Sequence, residues 1–473
     1  MAFNTASFWA FFVVVLTISA SLRRYARLRI WFLTIASLYF YYASNSYLTL
    51  LIIGGTLFDF FAARKIQALS SNPARKRWLI SSITLNLTIL GLFKYSNLLL
   101  ATIDRGLLMA GFHSKLPLLH LPLPVGISFY TFEAISYVAD VYRRRFTART
   151  QWRDFNYFIV FFPKLTAGPI IRPQAFFDNI AGEKPLGEKE FEGYFQMMFL
   201  GLIQKVVLAD TLAPIADAVY GGTAAPDFLT TLVGIYAFSL QIYFDFVGYT
   251  NIAIGAAGLL GVELPDNFNR PYIASCLSDF WRRWHISLSS WLRDYLYIPL
   301  GGGRGSLAMI CRNLMITMTL GGLWHGASWN FAIWGALNGA ILCLERLSGW
   351  EARANHWLAR HGSGARLLWS ALMFNLFSLL WVPFRAHSLD DFISILRRLL
   401  SLTPPQTVVF QELAVCALAF LTIAVCVWDE NTGLQGWISN LHPLVKAPVF
   451  ATAILVSIGF STAGNQPFIY FRF

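Results

Sequence analysis

The sequence predicts an all-α protein that crosses a membrane many times. The expectation is roughly ten or more membrane helices, several of them broken or re-entrant, around a central funnel or tunnel. Three observations carry it. Of the 473 residues, 56% are apolar and only 13% charged, about half the ~25% charged share of a soluble domain. Apolar stretches recur along the whole chain. The 37 Lys and Arg outweigh the 25 Asp and Glu by 12, and much of the excess sits in short clusters between apolar stretches, as cytoplasmic loops require. The same numbers exclude a disordered chain, which needs low hydrophobicity. Five cysteines without a C-x-x-C pair provide neither a disulfide framework nor a zinc ribbon.

The elements follow in order. Residues 8–20 are apolar, and the positive charge comes after them, at Arg23, Arg24, Arg27 and Arg29. A cleavable signal carries its charge first, so the expectation is a retained helix with its N-terminus outside. Stretches 30–42 and 47–62 go out and return at Arg64 and Lys65, with Arg75, Lys76 and Arg77 following. Stretch 78–93 leaves again, 94–123 wanders outside, and 125–142 returns to Arg143, Arg144 and Arg145. The basic clusters all fall on one side. Further candidates are 155–162, 195–208, 229–246, 252–260, 309–323, 331–344, 367–382, 413–427 and 447–460. Several fall short of the ~20 residues of a simple span, and many are interrupted by Gly, Pro or a charge. Broken backbone at membrane depth is tolerated where protein buries it or it lines a cavity. The middle of the chain is therefore expected to enclose a cavity. The polar pieces 181–192, 351–364 and 402–411 are too short to fold alone, so residues 1–473 read as a single membrane domain.

Chemistry is sought among the few ionisable groups left in apolar surroundings. Of eight histidines, His113 and His120 fall in an outer loop, and His356, His361, His387 and His442 lie near charges, prolines or loop residues. His285 and His325 differ. His285 sits in Phe280-Trp281-Arg282-Arg283-Trp284-His285-Ile286-Ser287-Leu288. If that stretch is helical, Trp281, Trp284, His285 and Leu288 share one face. An interfacial histidine among tryptophans fits this pattern as well as a functional one does. His325 lies between the apolar runs 309–323 and 331–344, flanked by glycines. An ionisable group at such depth is costly and a functional candidate. Burial keeps an imidazole neutral and able to accept a proton. A core histidine bonded to a carbonyl is the alternative.

Asp245 and Glu133 also interrupt apolar runs, and an ion pair or hydrogen bond to a neighbouring helix accounts for either. Arg282, Arg283, Arg293 and Arg304 present guanidinium groups that match phosphate, although for each arginine taken alone positive-inside bias with lipid headgroup contact is the better account. No metal site is expected, because the two histidines lack second ligands at i+3 or i+4 and no H-E-x-x-H or Cys/His cluster occurs. A G-x-S-x-G elbow, a Walker A loop and a dinucleotide fingerprint are also missing from the sequence. Cys276 lies near His285, but a thiolate nucleophile needs a base in reach.

At these residues the chain resembles the membrane-bound O-acyltransferases, and within them the bacterial alginate O-acetyltransferase branch. It is similar also to proteins of cellulose acetylation and of teichoic acid D-alanylation. The resemblance runs through 124–132, Phe162-Pro163, Ala167-Gly168-Pro169-Ile170, Asp245-Phe246, Gly248-Tyr249, Asn267-Phe268-Asn269, Pro271-Tyr272, 280–288, 291–302, 321–329 and 468–473. Its core is about residues 121–347, somewhat more than one ordinary domain.

The resemblance implies acyl transfer across a bacterial inner membrane. The donor is an acetyl-CoA or acyl-carrier thioester on the cytoplasmic side, and no metal is needed. The acceptor is a hydroxyl of an exported polysaccharide, of alginate or cellulose type, reached directly or through a periplasmic acetyltransferase partner. Nucleic acid plays no part. His325 maps to the family's invariant histidine and His285 to the second histidine of this branch, with Trp281, Trp284, Trp324, Asp245 and Asn267 along the tunnel. Arg282, Arg283, Arg293 and Arg304 would hold the donor. Three residues depart from the family pattern: Lys164 where a neutral residue is expected, Gly303 for Asn, and Arg472 for Gln. A transporter or flippase for a polysaccharide or its precursor also accommodates broken helices and a buried Asp245. The absence of a second copy of the Trp-His block in the sequence weighs against it.

Overall fold

The structure is a computed structural model that describes residues 1–112, 116–181, 186–223, 227–405, 410–432 and 468–469. His113, His442, the apolar stretch 447–460 and residues 470–473 lie outside the described residues. Among those described, the chain is helical, and the one β-like contact is an isolated bridge between Phe268 and Trp284. Among the described residues, seven helical stretches are long and apolar enough to cross a bilayer: Ala26–Ala68, Asn72–Met109, Glu188–Tyr220, Phe228–Leu259, Leu307–His325, Ser363–Arg385 and Phe410–Glu430. The chain is thus a multi-pass membrane protein. The Ala26–Ala68 stretch bends at Ser46 (φ 48°), which divides it into two helices of 20 residues.

The described chain forms two compact units. The first comprises residues 1–198 and 252–265. At its centre the Ile127–Tyr142 helix is buried on every side from Ile127 to Val141, as expected of a helix without a polar face. It carries Glu133, whose carboxylate accepts from the Lys164 ammonium; both side chains are buried. The same ammonium lies 4.7 Å from the centre of the Phe158 ring. Lys164 is therefore the counter-ion of a carboxylate that an apolar helix otherwise tolerates poorly. In the same unit, Asp59 accepts from the Ser82 hydroxyl (2.5 Å) and the Asn86 amide (3.0 Å).

The second unit comprises residues 199–251 and the described part of 266–473. Asp245 is met by Lys205 at 2.5 Å, and Lys205 also reaches Asp210 at 2.7 Å. The other Asp245 oxygen accepts from the Ile469 N–H at 2.7 Å. An aromatic core surrounds Trp284, with Trp381 4.9 Å, Phe268 5.0 Å and Phe280 5.5 Å away between ring centroids. Such pairs contribute roughly 0.5–1.5 kcal/mol each beyond their burial. Two helices cross closely here, Leu307–His325 and Trp329–Ser348. The crossing is possible because Gly322 and Gly335 meet in it. A Cβ on Gly322 would stand 2.2 Å from the Phe331 carbonyl oxygen and 3.0 Å from the Gly335 Cα. Small residues at a helix crossing let backbones approach where lipid offers no hydrophobic drive.

Candidate active site

The Trp-Arg-His segment does not form the single helix that its periodicity predicts. A first short helix, Leu277–Arg283, stops, Trp284 is extended, and His285 adopts a left-handed conformation (φ 44°, ψ 52°). A second short helix, Ile286–Leu292, then begins. The face shared by Trp281, Trp284, His285 and Leu288 is thereby split. Neither glycine nor proline causes the break. It is held from the 267–269 loop: the Asn269 N–H donates to the Arg283 carbonyl (2.9 Å) and the Ile286 N–H to the Asn267 carbonyl (3.0 Å). The Ser287 N–H and hydroxyl both donate to Asn267 Oδ1, at 3.1 and 2.8 Å. Asn267 thus satisfies an N–H in the first turn of the second helix, as an N-cap does, although it lies elsewhere in the chain. A left-handed non-glycine residue costs about 1–3 kcal/mol and persists only where its surroundings over-determine it.

The break delivers His285 into the interior, where it is 0% exposed. Its segment is outside the seven long spans, and burial drives its pKa below the ordinary histidine value, leaving a neutral ring. The ring lies edge-on to Phe246 (4.6 Å) and 6.4 Å from the ring of His325. The two histidines are forty positions apart in the sequence, and the fold brings them together. His325 ends the Leu307–His325 helix and is 5% exposed. Trp324, Trp334 and Phe384 surround its ring at 5.0, 5.2 and 5.3 Å, each steeply inclined to it.

Two cavities lie alongside. One of about 190 Å³ is bounded by His325 together with Trp281, Leu288, Leu292, Thr317, Met318, Gly321 and Trp334, with Arg293 and Ser289 also reaching it. The other, of about 520 Å³, is more polar and is bounded by Ser278, Arg282, Gly303, Glu345, Arg346, Glu351 and Asn355. Tyr297, Leu314 and Leu342 border both.

The residues singled out in the sequence divide accordingly. Trp281 walls the smaller cavity with His325. Trp284 is embedded in the aromatic core, and Trp324 packs against both histidines. Asp245 is held by Lys205, next to Phe246, which touches His285. Arg282 borders the larger cavity and pairs with Glu351 at 2.6 Å, with its side chain 54% exposed. Arg293 borders the smaller one, 63% exposed, and pairs with Asp294 at 2.8 Å. Arg283 instead ties Asp279 (3.1 Å) to Glu430 (3.3 Å). Arg304 is exposed. Sequence reasoning passed over Arg346 and Glu345. Glu345 accepts from the backbone N–H groups of Leu277 (2.6 Å) and Ser278 (2.9 Å), anchoring the first short helix. Their only signal was a charged pair at the end of an apolar run, which ordinary positive-inside bias also produces.

Comparison with known proteins identifies the family. The model of the membrane-bound O-acyltransferase family matches residues 33–377, which include both histidines and both cavities. A Pseudomonas aeruginosa protein named probable alginate O-acetylase AlgI is 41% identical over 363 residues, 76% of this chain and 67% of the relative. Its Pseudomonas putida namesake is 35% identical over 472 residues, 93% of this chain and 94% of the relative. A peptidoglycan O-acetyltransferase of Helicobacter pylori is 34% identical over 400 residues, 79% of this chain and 74% of the relative. A match that spans most of the described fold, site included, leaves one conclusion: the chain belongs to the membrane-bound O-acyltransferase family.

Proposed function

We propose that this O-acyltransferase moves an acetyl group from a cytoplasmic thioester, acetyl-CoA or an acyl carrier, to a hydroxyl of an exported polysaccharide. The polymer is of alginate or cellulose type, and the acetyl group reaches it directly or through a periplasmic acetyltransferase partner. The protein sits in the bacterial inner membrane with its N-terminus outside. The observation that carries this reading is the pairing of His325 and His285 beside an apolar cavity that shares three wall residues with a polar, arginine-bearing one. Family membership favours transfer over transport. The names of the relatives, alginate O-acetylase and peptidoglycan O-acetyltransferase, support acetyl as the group and polysaccharide as the acceptor.

In this reading the acceptor oxygen attacks the thioester carbonyl carbon beside His325. A C–O bond forms while the hydroxyl proton passes to the His325 imidazole. The C–S bond then breaks, and the departing sulfur takes the proton from the imidazolium and leaves as a thiol. A base so placed contributes about 10²–10⁴-fold. Its aromatic cage limits the orientations of the ring, so the base is aimed before substrate arrives. His285, neutral and with its ring centre 6.4 Å from that of His325, positions the carbonyl or the acceptor. Arg282 and Arg293 meet the donor's anionic groups at the two cavities, while Trp281, Trp324 and Asn267 shape the path.

The test supplies a labelled acetyl thioester to membranes carrying wild type or His325→Ala. Acetylation of polymer is expected to fall by at least ~10²-fold in the variant. Transfer that survives the substitution at the wild-type rate would remove His325 from its role.

A further inference from the structure

Adjacent glycines on the Leu307–His325 helix face different surroundings. Gly322 is consumed by the helix crossing, as described above. Gly321 is not. A Cβ built on Gly321 meets one atom within 4 Å, the terminal Leu292 Cδ1 at 3.0 Å. Gly321 and Leu292 both border the cavity of about 190 Å³ that ends at His325. Leu314, Thr317, Met318, Gly321 and His325 all border it from one helix, at the spacing that places side chains on one face. Gly321 is one turn from the histidine on that face. A side chain at 321 would therefore press on Leu292, so the two residues meet on the cavity wall one turn from His325, and any bulk added at 321 has to displace Leu292.

The size of that space is informative. An apolar cavity of about 150 Å³ stays dry and admits benzene, so 190 Å³ holds more than the acetyl end of a thioester. We propose that this cavity is an acyl pocket with room beyond acetyl, and that Gly321 and Leu292 set the longest acyl group accepted beside His325. The substrate class is short-chain acyl thioesters, from acetyl to about butyryl. The proposal rests on the reading of His325 as the site of transfer. It adds a control on acyl length that acetyl transfer alone does not require. The selection is steric and apolar, since Leu292, Met318, Leu288 and Trp281 line the cavity with Gly321. One methylene gained or lost in such a pocket changes discrimination by about 10–200-fold.

The experiment uses the full-length chain in lipid nanodiscs. The donors are S-acetyl-pantetheine and S-butyryl-pantetheine, which carry the thioester arm common to coenzyme A and acyl carriers. Wild type is expected to transfer both groups. Gly321→Val should lower the butyryl-to-acetyl ratio by at least ~10-fold, Gly321→Ala by less, and Leu292→Ala should raise it. A ratio that stays within about twofold of wild type in all three variants overturns the proposal, by the same scale of discrimination. The unreactive thioether S-butyl-pantetheine provides a readout that needs no turnover. It should raise the Tm of wild type and of His325→Ala, and should not raise that of Gly321→Val. Equal stabilisation of all three overturns the acyl pocket even where a variant is inactive. Transfer that survives His325→Ala strikes instead at the proposed function, so the two failures are distinct.

Discussion

The left-handed residue at His285 makes Asn267 the most informative single substitution outside the two histidines. Asn267→Ala removes the acceptor for the Ser287 N–H (3.1 Å) and hydroxyl (2.8 Å). Loss of a cap costs about 1 kcal/mol. A buried donor left unsatisfied costs about 1–3 kcal/mol, and Ser287 is buried. The combined loss, about 2–4 kcal/mol on those terms, is centred above the ~1–3 kcal/mol of strain that the break at His285 stores. The balance then tips towards relaxation. Residues 277–292 carry a helical periodicity, and the relaxed state is one continuous helix with the His285 ring turned away from His325. Each 1.4 kcal/mol of tilt depletes the competent geometry tenfold. The expected result is a kcat reduced by roughly 10–100-fold at nearly unchanged donor KM, since KM reports the donor contacts and kcat the aim of the histidines. Asn267→Asp keeps an acceptor oxygen, and a negative group at a helix N-terminus is favourable, so it should recover most of the rate. The assay is labelled-acetyl transfer by purified variants, alongside thermal unfolding. Wild-type kcat in Asn267→Ala would refute the reasoning, because the break would then be held without its acceptor.

Two further outcomes are expected. Lys164→Met strands the Glu133 carboxylate in the core of the first unit and should lower stability by about 3–5 kcal/mol. The double variant Lys164→Met, Glu133→Leu should recover most of that loss, and chemical denaturation in detergent measures both. Arg282→Gln should raise donor KM about tenfold, the loss of one charge-assisted contact, whereas Arg283→Gln should leave KM alone and cost up to about 1 kcal/mol of stability. Steady-state kinetics on both variants distinguishes the cavity residue from the structural one, and a larger KM effect at Arg283 would reverse the assignment.

The parts of this protein that were legible in its sequence are those set by solvent. Apolar runs and basic clusters respond to the bilayer residue by residue, so the all-helical, multi-pass character is visible without neighbours. His325 was visible for the same reason, as an ionisable group flanked by apolar runs. The break at His285 was not. Residues 280–288 satisfy a helical period, and what interrupts them is a hydrogen-bond set donated to Asn267 and accepted from Asn269, in a loop the local pattern cannot place. Helix propensity is a weak prior that tertiary contacts override. The surroundings of the arginines were likewise out of reach of the local pattern. Arg282 and Arg283 are neighbours of identical chemistry, yet one borders a cavity and the other bridges Asp279 and Glu430. Asp245 and Glu133 announced that they needed partners, but Lys205 and Lys164 were identified only by folding.

The strain at His285 has a consequence for the choice between acceptor and water. A thioester beside a base is open to hydrolysis as well as to transfer, and the two reactions differ only in which oxygen reaches the carbonyl. On the proposed reading, the carbonyl is met by His325 and His285, with Trp324, Trp334, Phe384 and Phe246 at 4.6–5.9 Å from one ring or the other. Those rings offer water few partners, and a site needs two to four polar groups to hold one. A helix that ran straight through His285 would keep the histidine but lose its place against Phe246 and Trp324. The strained break therefore keeps the His285 ring against Phe246 and Trp324 and within 6.4 Å of the His325 ring. The polar groups that a hydrated donor requires, Arg282, Arg346, Glu351 and Asn355, border the larger cavity instead. On the proposed reading, a polar cavity and an apolar one with Tyr297, Leu314 and Leu342 common to both would let the charged part of a donor be held apart from the carbonyl it delivers.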